Sequence, residues 1–76
     1  MKLPKEEVVK IIGNKLREIR LEKKLTIERV ALDSDIEYTQ LSRIELGKIN
    51  TSIYQIYKIS HSLSVPVPDI FKTLKH

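Results

Sequence analysis

The sequence contains no cysteine, two glycines, three prolines and no long uninterrupted run of apolar residues. The absence of cysteine excludes disulfides, thiol nucleophiles and thiolate zinc sites, and it fits a reducing compartment. A helix that spans a bilayer needs about 18 or more consecutive apolar residues. Residues 1–14 alternate charged and apolar residues and do not form the apolar block of a signal peptide. We therefore expect a cytoplasmic protein without a membrane segment.

The chain is short and basic, with 76 residues and a formal net charge of +4. This length suits one small domain over residues 1–76, and the core of such a domain supplies about 3–5 kcal/mol of net stability. Oligomerisation is one way to bury more surface. The positive charge favours an anionic partner and is compatible with nucleic acid. No low-complexity tract or internal repeat interrupts the chain, so we expect it to be folded nearly throughout.

The first apolar pattern predicts a long N-terminal helix that ends near Glu22 or Lys23. Pro4, followed by Lys5-Glu6-Glu7, is typical of a helix start, because acids in the first turn match the positive end of the helix dipole. Apolar residues then recur at spacings of three and four: Val9, Ile12, Leu16 and Ile19. Gly13 lies inside this pattern, where glycine costs about 1 kcal/mol relative to alanine. Residues 1–11 are therefore either an extension of the helix or a separate N-terminal segment.

Two short helices joined by a tight turn are predicted over about residues 27–46. Thr26 is a suitable N-cap for the first of them. That helix runs from about residue 27 to residue 33, and Val30 and Ala31 face inward. The turn is Ser34-Asp35-Ile36, whose central aspartate tolerates left-handed geometry better than most residues do.

The helix after this turn begins at residue 37 or 38 and ends at about Leu46. Leu41 and Ile44 are three residues apart, so they share one apolar face. Gly47 supplies the left-handed residue that commonly ends a helix. The result is a short helix with one face for the core and another face free for a partner.

A fourth and a fifth helix complete an all-α prediction. Ser52 caps the fourth helix, which ends near Ser64 and has an inward stripe of Ile53, Ile56, Ile59 and Leu63. Pro66 and Pro68 disfavour helical geometry in the residues before them, and Pro68 suits the first position of a last short helix. The apolar side of that helix is Ile70, Phe71 and Leu74, with Phe71 in the core. Residues 72–76 are predicted to be a frayed tail.

A set of short motifs is spread in a fixed order over residues 12–71. They are Leu16-Arg17-Glu18-Ile19-Arg20, Leu25-Thr26, Val30-Ala31, Ile36, Leu41-Ser42-Arg43-Ile44-Glu45-Leu46-Gly47, Leu63-Ser64-Val65 and Ile70-Phe71. Together they resemble the phage-repressor (Cro/C1, or XRE) family of helix-turn-helix DNA-binding domains. The resemblance implies an all-α, five-helix lambda-repressor-like fold. It also implies a third helix that enters the major groove of double-stranded DNA, and a homodimer that binds a palindromic operator.

The resemblance assigns roles to individual residues. Four of them fall at recognition-helix positions whose side chains point to base edges: Tyr38, Thr39, Gln40 and Arg43. Two fall in the loop that usually meets phosphates: Lys48 and Asn50. Arginine can donate twice to guanine, and glutamine can donate and accept at adenine, so Gln40 and Arg43 suit base readout. The family also implies a structural ion pair between Arg20 and Glu45.

The chain departs from the family pattern close to these positions. Ile27 stands where the family often has a glutamine that contacts phosphate, so one positioning contact is absent. Glu37 favours the dipole of the third helix but repels phosphate unless it accepts from a cytosine amino group. Asp35 replaces the turn glycine, Ser34 replaces an apolar residue, and Thr51 replaces the loop proline. Ile27 and Glu37 favour an alternative function, a protein-interaction module that keeps the fold without specific DNA binding, such as an antitoxin-like protein.

Several side chains keep two interpretations. The basic residues Lys15, Arg17, Lys23 and Lys24 either contact phosphates or form a solvated face. Tyr54, Tyr57, Ile70 and Phe71 belong to the core or to a dimer interface. The core is the preferred place for Phe71, and Tyr54 is the better interface candidate because tyrosine is enriched there. His61 and His76 lie far apart without partners at metal-ligand spacing. We therefore expect no metal, no cofactor and no small-molecule ligand.

The serines, histidines and acids form no nucleophile–base–orienter pattern, so we expect no enzyme. The leading hypothesis is a sequence-specific DNA-binding regulator of transcription that acts as a homodimer. A module of this size fits a phage-type repressor, an antitoxin-like autoregulator or a restriction–modification controller. The sequence does not separate these three.

Overall fold

The computed structural model describes residues 2–74, which form five α-helices and no strand. The helices are α1 (Lys5–Glu22), α2 (Ile27–Ser34), α3 (Tyr38–Glu45), α4 (Ile53–Ser62) and α5 (Val67–Phe71). The predicted all-α, five-helix fold is confirmed. None of the described helices combines the length and apolar character that a membrane crossing requires.

Helix α1 runs without a break through Gly13, so residues 5–11 extend the helix and do not form a separate segment. Pro4 is its N-cap residue, and acidic Glu6 and Glu7 lie in its first turn. Gly13 is buried where α1 crosses α3, and a Cβ atom at this position would overlap the carbonyl oxygen of Ile44. Glycine therefore permits the close approach of the two helices.

Side-chain caps start two of the helices at the positions that the sequence predicts. The Thr26 hydroxyl accepts a hydrogen bond from the Arg29 N–H at 3.1 Å, and the Ser52 hydroxyl accepts one from the Gln55 N–H at 3.1 Å. Each cap pairs one of the N–H groups that a helix N-terminus leaves without an intrahelical partner. These caps fix the starts of α2 and α4.

Four of the helices end at a residue with left-handed backbone. The φ angles are 59° at Lys24, 55° at Asp35, 72° at Gly47 and 58° at Ser64. At the end of α3, the Lys48 N–H donates to the Arg43 carbonyl at 2.9 Å, and the Gly47 N–H donates to the Ile44 carbonyl at 3.1 Å. This pair of bonds is the Schellman arrangement, which stops the helix and turns the chain into the next loop.

One core joins all five helices. Its most deeply buried apolar residues come from every helix or its end: Leu16, Val30, Leu41, Ile59, Leu63 and Ile70. Helix α1 packs against α3 and α5, while α2 packs against α3 and α4. The inner faces of α2 and α3 are therefore held by the core, which leaves their outer faces available.

Two apolar residues lie outside the core, contrary to prediction. Ile53 is 81% exposed and Phe71 is 38% exposed. Ile53 stands in the first turn of α4 and borders an apolar cavity, so its side chain is not covered by the core. Ile70 takes the core position in α5, and a step of one residue rotates Phe71 by about 100° away from it.

The helix ends differ from the predicted bounds by one or two residues. Helix α4 ends at Ser62, before the predicted Ser64. Helix α5 begins one residue before Pro68, with Pro66 as its N-cap residue. In the predicted tail, the Leu74 N–H donates to the Phe71 carbonyl at 3.0 Å, which closes a turn. Residues 75 and 76 of that tail lie outside the described residues.

Candidate nucleic-acid interface

Helices α2 and α3 form a helix-turn-helix pair whose turn is tied to α4. Asp35 adopts the left-handed conformation that the turn requires, and buried Ile36 donates its N–H to the Ala31 carbonyl at 3.0 Å. The Ser34 hydroxyl is buried and donates to the Lys58 carbonyl at 3.5 Å. The Lys58 ammonium in turn donates to the Asp35 carbonyl at 3.3 Å. These contacts explain how a serine and an aspartate replace an apolar residue and a glycine at this turn.

A buried ion pair holds the end of α1 to the end of α3. Arg20 Nε donates to Glu45 Oε2 at 2.9 Å, and Arg20 Nη2 donates to Glu45 Oε1 at 3.0 Å. The side chains are 9% and 3% exposed. Arg20 Nη1 also donates to the Leu25 carbonyl at 2.8 Å. The pair thus joins α1, the following loop and α3, and neither charge is exposed to an external partner.

The four residues of α3 that are predicted to read bases, here called the recognition face, are Tyr38, Thr39, Gln40 and Arg43. Tyr38, Thr39 and Arg43 are exposed, and Gln40 is half-buried. Leu41, Ile44 and Glu45 are buried on the opposite side of the helix. None of the four recognition side chains forms a hydrogen bond or an ion pair within residues 2–74. Their polar atoms are free to bind an external partner.

The loop after α3 places two more polar side chains beside this face. Lys48 and Asn50 are exposed, whereas Ile49 between them is half-buried and packs against the core. Ile49 therefore anchors the loop while its neighbours point outward. The backbone bond from Lys48 to Arg43 keeps the start of the loop against the last turn of α3.

Two residues that depart from the family pattern, Ile27 and Glu37, differ in their burial. Ile27 is half-buried and packs against the core, so it serves packing at the start of α2. Glu37 is the exposed N-cap residue of α3, and its carboxylate makes no cap hydrogen bond. This carboxylate lies at the helix end where the dipole is positive, which favours its negative charge.

Sequence reasoning missed two residues near the interface. Ser42 is half-buried on α3, three residues after Thr39 and next to Arg43. The helical period of 3.6 residues could have placed it beside the recognition face. Lys10 packs against Gly47, because a Cβ atom on Gly47 would lie 2.8 Å from the Lys10 Cα atom. No local pattern in the sequence indicates this contact between distant parts of the chain.

Helix α4 exposes an apolar and aromatic surface, formed by Ile53, Tyr54 and Tyr57 and here called the α4 surface. Tyr54 and Tyr57 stack with their ring centroids 6.4 Å apart, and His61 stacks on Tyr57 at 6.3 Å. Beside Ile53 lies an apolar cavity of about 210 Å³ that Phe71 also lines. No cluster of three or more potential metal ligands occurs in the described part of the chain, and His76 lies outside it.

Comparisons with known proteins agree with this geometry. A family model described as helix-turn-helix matches residues 16–70. The chain is 38% identical over 64 residues to the control protein C.MunI of Mycoplasma sp, which covers 83% of this chain and 86% of that protein. It is 39% identical over 61 residues to the control protein C.BamHI of Bacillus amyloliquefaciens, which covers 79% of this chain and 75% of that protein.

A solved structure supports the same assignment. The restriction-modification controller protein C.AhdI from Aeromonas hydrophila superposes with a TM-score of 0.80 and 31% sequence identity, over 86% of this chain and 97% of that chain. The match therefore extends over nearly the whole of that solved chain. On these matches, the chain belongs to the Cro/C1-type helix-turn-helix family.

Proposed function

We propose that this protein is a sequence-specific DNA-binding regulator of transcription that acts in the cytoplasm. It binds palindromic operator DNA as a homodimer, with α3 of each protomer in the major groove. The observation that carries this proposal is the recognition face, which combines exposed side chains with polar atoms that have no partner in the described part of the protein. A rigid helix that presents such a face fits the width of the major groove.

In this proposal the recognition face contacts base edges, and the loop that follows α3 contacts the sugar–phosphate backbone. Arg43 and Gln40 supply the donors and acceptors that distinguish guanine and adenine at the floor of the groove. Lys48 and Asn50 contact the sugar–phosphate backbone, which fixes the register of α3 without reading the sequence. A carboxylate at the start of α3 would repel the nearby phosphates. We therefore infer that Glu37 accepts a hydrogen bond from a cytosine amino group.

Among regulators of this family, the similarities favour the class that controls restriction and modification. Two relatives are named control proteins, and C.AhdI is named a restriction-modification controller protein. We infer that this protein regulates the genes of a restriction–modification system. The phage-type repressor and the antitoxin-like autoregulator are less well supported alternatives.

The α4 surface supports the proposed homodimer. Ile53 is 81% exposed and Tyr54 is 66% exposed on adjacent positions of one helix. Their burial against a second copy would remove apolar surface from water. A domain of this size buries only a limited fraction of its surface by folding alone, so this additional burial would stabilise it. The dimer also places two recognition helices on one face of the DNA, so that half-sites about 34 Å apart are contacted together.

Selection from a pool of random duplexes at several salt concentrations tests this function. We expect one twofold-symmetric sequence to be enriched, with binding that weakens steeply as salt rises. A pool without enrichment, together with no binding at low salt, would overturn the proposal. That result would favour the protein-interaction module, for which the free carboxylate of Glu37 beside the recognition face is the supporting observation.

A further inference from the structure

We propose that Lys10, on the N-terminal half of α1, is a second phosphate-binding residue beside Lys48. The bound DNA would then extend beyond the helix-turn-helix unit and its loop onto α1. This inference rests on the proposed function, because its ligand is the backbone of the same duplex. The family match begins at residue 16, so Lys10 lies outside the region that it describes.

Two close backbone contacts place Lys10 at this position. Gly13 lies against the Ile44 carbonyl, which brings α1 directly onto the last turn of α3. Three residues earlier, the Lys10 backbone and stem lie against Gly47, where an added Cβ atom would be 2.7 Å from Lys10 Cγ. The exposed Lys10 side chain therefore starts beside the residue that precedes Lys48. Both contacts involve backbone atoms, so they fix where the Lys10 side chain begins.

The charges around this position favour an anion. Within the described residues, neither Lys10 nor Lys48 nor Arg43 forms an ion pair. Glu6 and Glu7 precede Lys10 by about one turn of α1, and neither forms an ion pair with it. Lys10 and Lys48 carry like charges on adjacent backbone segments, and a phosphate that lies between them would be attracted to both. The ammonium group of lysine suits a phosphate as a compact point charge.

Two other lysines, Lys15 on α1 and Lys23 just after its end, lie elsewhere. Lys15 and Lys23 line a groove between α1 and α5, together with the acidic residues Glu22 and Asp69. This groove is on the side of α1 that faces α5, whereas Lys10 faces the end of α3. The structure thus separates Lys10, whose backbone packs at the end of α3, from Lys15 and Lys23, which line this groove. It also supplies a matched control on the same helix.

The test is a salt titration of the full chain on its selected operator and on a scrambled duplex. The variants are Lys10→Met, which keeps the apolar stem, Lys10→Arg, which keeps the charge, and Lys15→Met as the control. For Lys10→Met we expect the slope of log affinity against log salt to fall by about 0.9, the value for one lost phosphate contact. Affinity for both duplexes should fall by the same factor, and the preferred sequence should not change.

The remaining variants and outcomes decide the proposal. Lys10→Arg should restore the wild-type slope, and Lys15→Met should leave it unchanged. A thermal melt of Lys10→Met that matches the wild type shows that the fold is retained, and Lys10→Gln replaces it if it does not. If the wild type binds its operator but the uncharged Lys10 variant keeps the full slope, this inference is wrong and the proposed function stands. If the wild type binds no duplex, the proposed function itself fails.

Discussion

At the scale of single residues, one buried ion pair differs from the charged side chains that are exposed without a partner in the described residues. Arg20 and Glu45 are charged and look like surface residues in the sequence, but they are buried and bonded to each other. Arg43 and Lys48 are exposed and form no ion pair in the part of the chain described. Only the exposed side chains can bind DNA without breaking the fold.

Arg20→Met should destabilise the protein strongly. It leaves the Glu45 carboxylate buried without its partner, which costs about 3–5 kcal/mol. Replacing both residues by methionine should recover much of this loss, because no lone charge then remains in the interior. Urea denaturation followed by circular dichroism measures the free energies of unfolding.

An exposed pair provides the control for this prediction. Arg29 and Asp33 lie 3.2 Å apart with side chains 63% and 38% exposed. Arg29→Met should cost no more than about 1 kcal/mol, as is usual for surface ion pairs. Equal losses for Arg20→Met and Arg29→Met would show that burial of the first pair does not matter.

At the scale of helices, the packing of α1 on α3 depends on Gly13. Helix propensity alone predicts that Gly13→Ala stabilises α1 by about 1 kcal/mol. The structure predicts the opposite sign, because the new methyl group would overlap the Ile44 carbonyl, and overpacking typically costs about 1–3 kcal/mol. Thermal unfolding of Gly13→Ala should therefore occur at a lower temperature than that of the wild type.

Asn14→Ala is the matched control for this substitution. Asn14 is the next residue and is exposed, and it forms one surface hydrogen bond with Glu18 at 3.1 Å. Its replacement should change the free energy of unfolding by no more than about 0.5 kcal/mol. If Gly13→Ala raises the unfolding temperature, the close approach of α1 and α3 is not a constraint on stability.

Much of the helical organisation can be predicted from the sequence, because its signals are local. The spacing of Ile12, Leu16 and Ile19 predicts one face of α1, and Thr26 and Ser52 predict two caps. Both outcomes agree with the structure.

The errors arise where a tertiary contact decides the outcome. The same spacing includes Ile53 in the inward stripe of α4, but the spacing carries no information on where the core ends. From the sequence, Gly13 is expected to weaken the helix. In the structure, it allows α1 to approach the Ile44 carbonyl on α3 closely. The contact of Lys10 with Gly47 is similarly invisible in the sequence. The positions of the recognition residues follow from the helix period, but their roles in DNA binding stay predictions.

At the scale of the whole molecule, the α4 surface should control self-association. Tyr54→Asp places a charge on an exposed position, so it should split a dimer without disturbing the core. Sedimentation of the wild type at micromolar concentration should give a dimer, and Tyr54→Asp should give a monomer with a similar circular dichroism spectrum. Leu32→Asp is the control, since Leu32 is 73% exposed on α2 and is not one of the residues of the α4 surface.

Two results would contradict this arrangement. A wild type that stays monomeric at high micromolar concentration, both with and without DNA, would remove the homodimer. A dimer that survives Tyr54→Asp but not Leu32→Asp would move the interface from α4 to α2.

In the proposed complex, α3 reads a base sequence while the loop that follows it holds the DNA backbone. Selection from random duplexes, with the base preferences of Arg43→Ala and Lys48→Ala compared with those of the wild type, distinguishes these two roles. Arg43→Ala should relax the preference at one base position in each half-site, at a cost of about 1–3 kcal/mol for the preferred base. Lys48→Ala should weaken binding to all sequences alike and flatten the salt dependence. Equal and sequence-independent losses from both substitutions would contradict the assignment of Arg43 to direct readout.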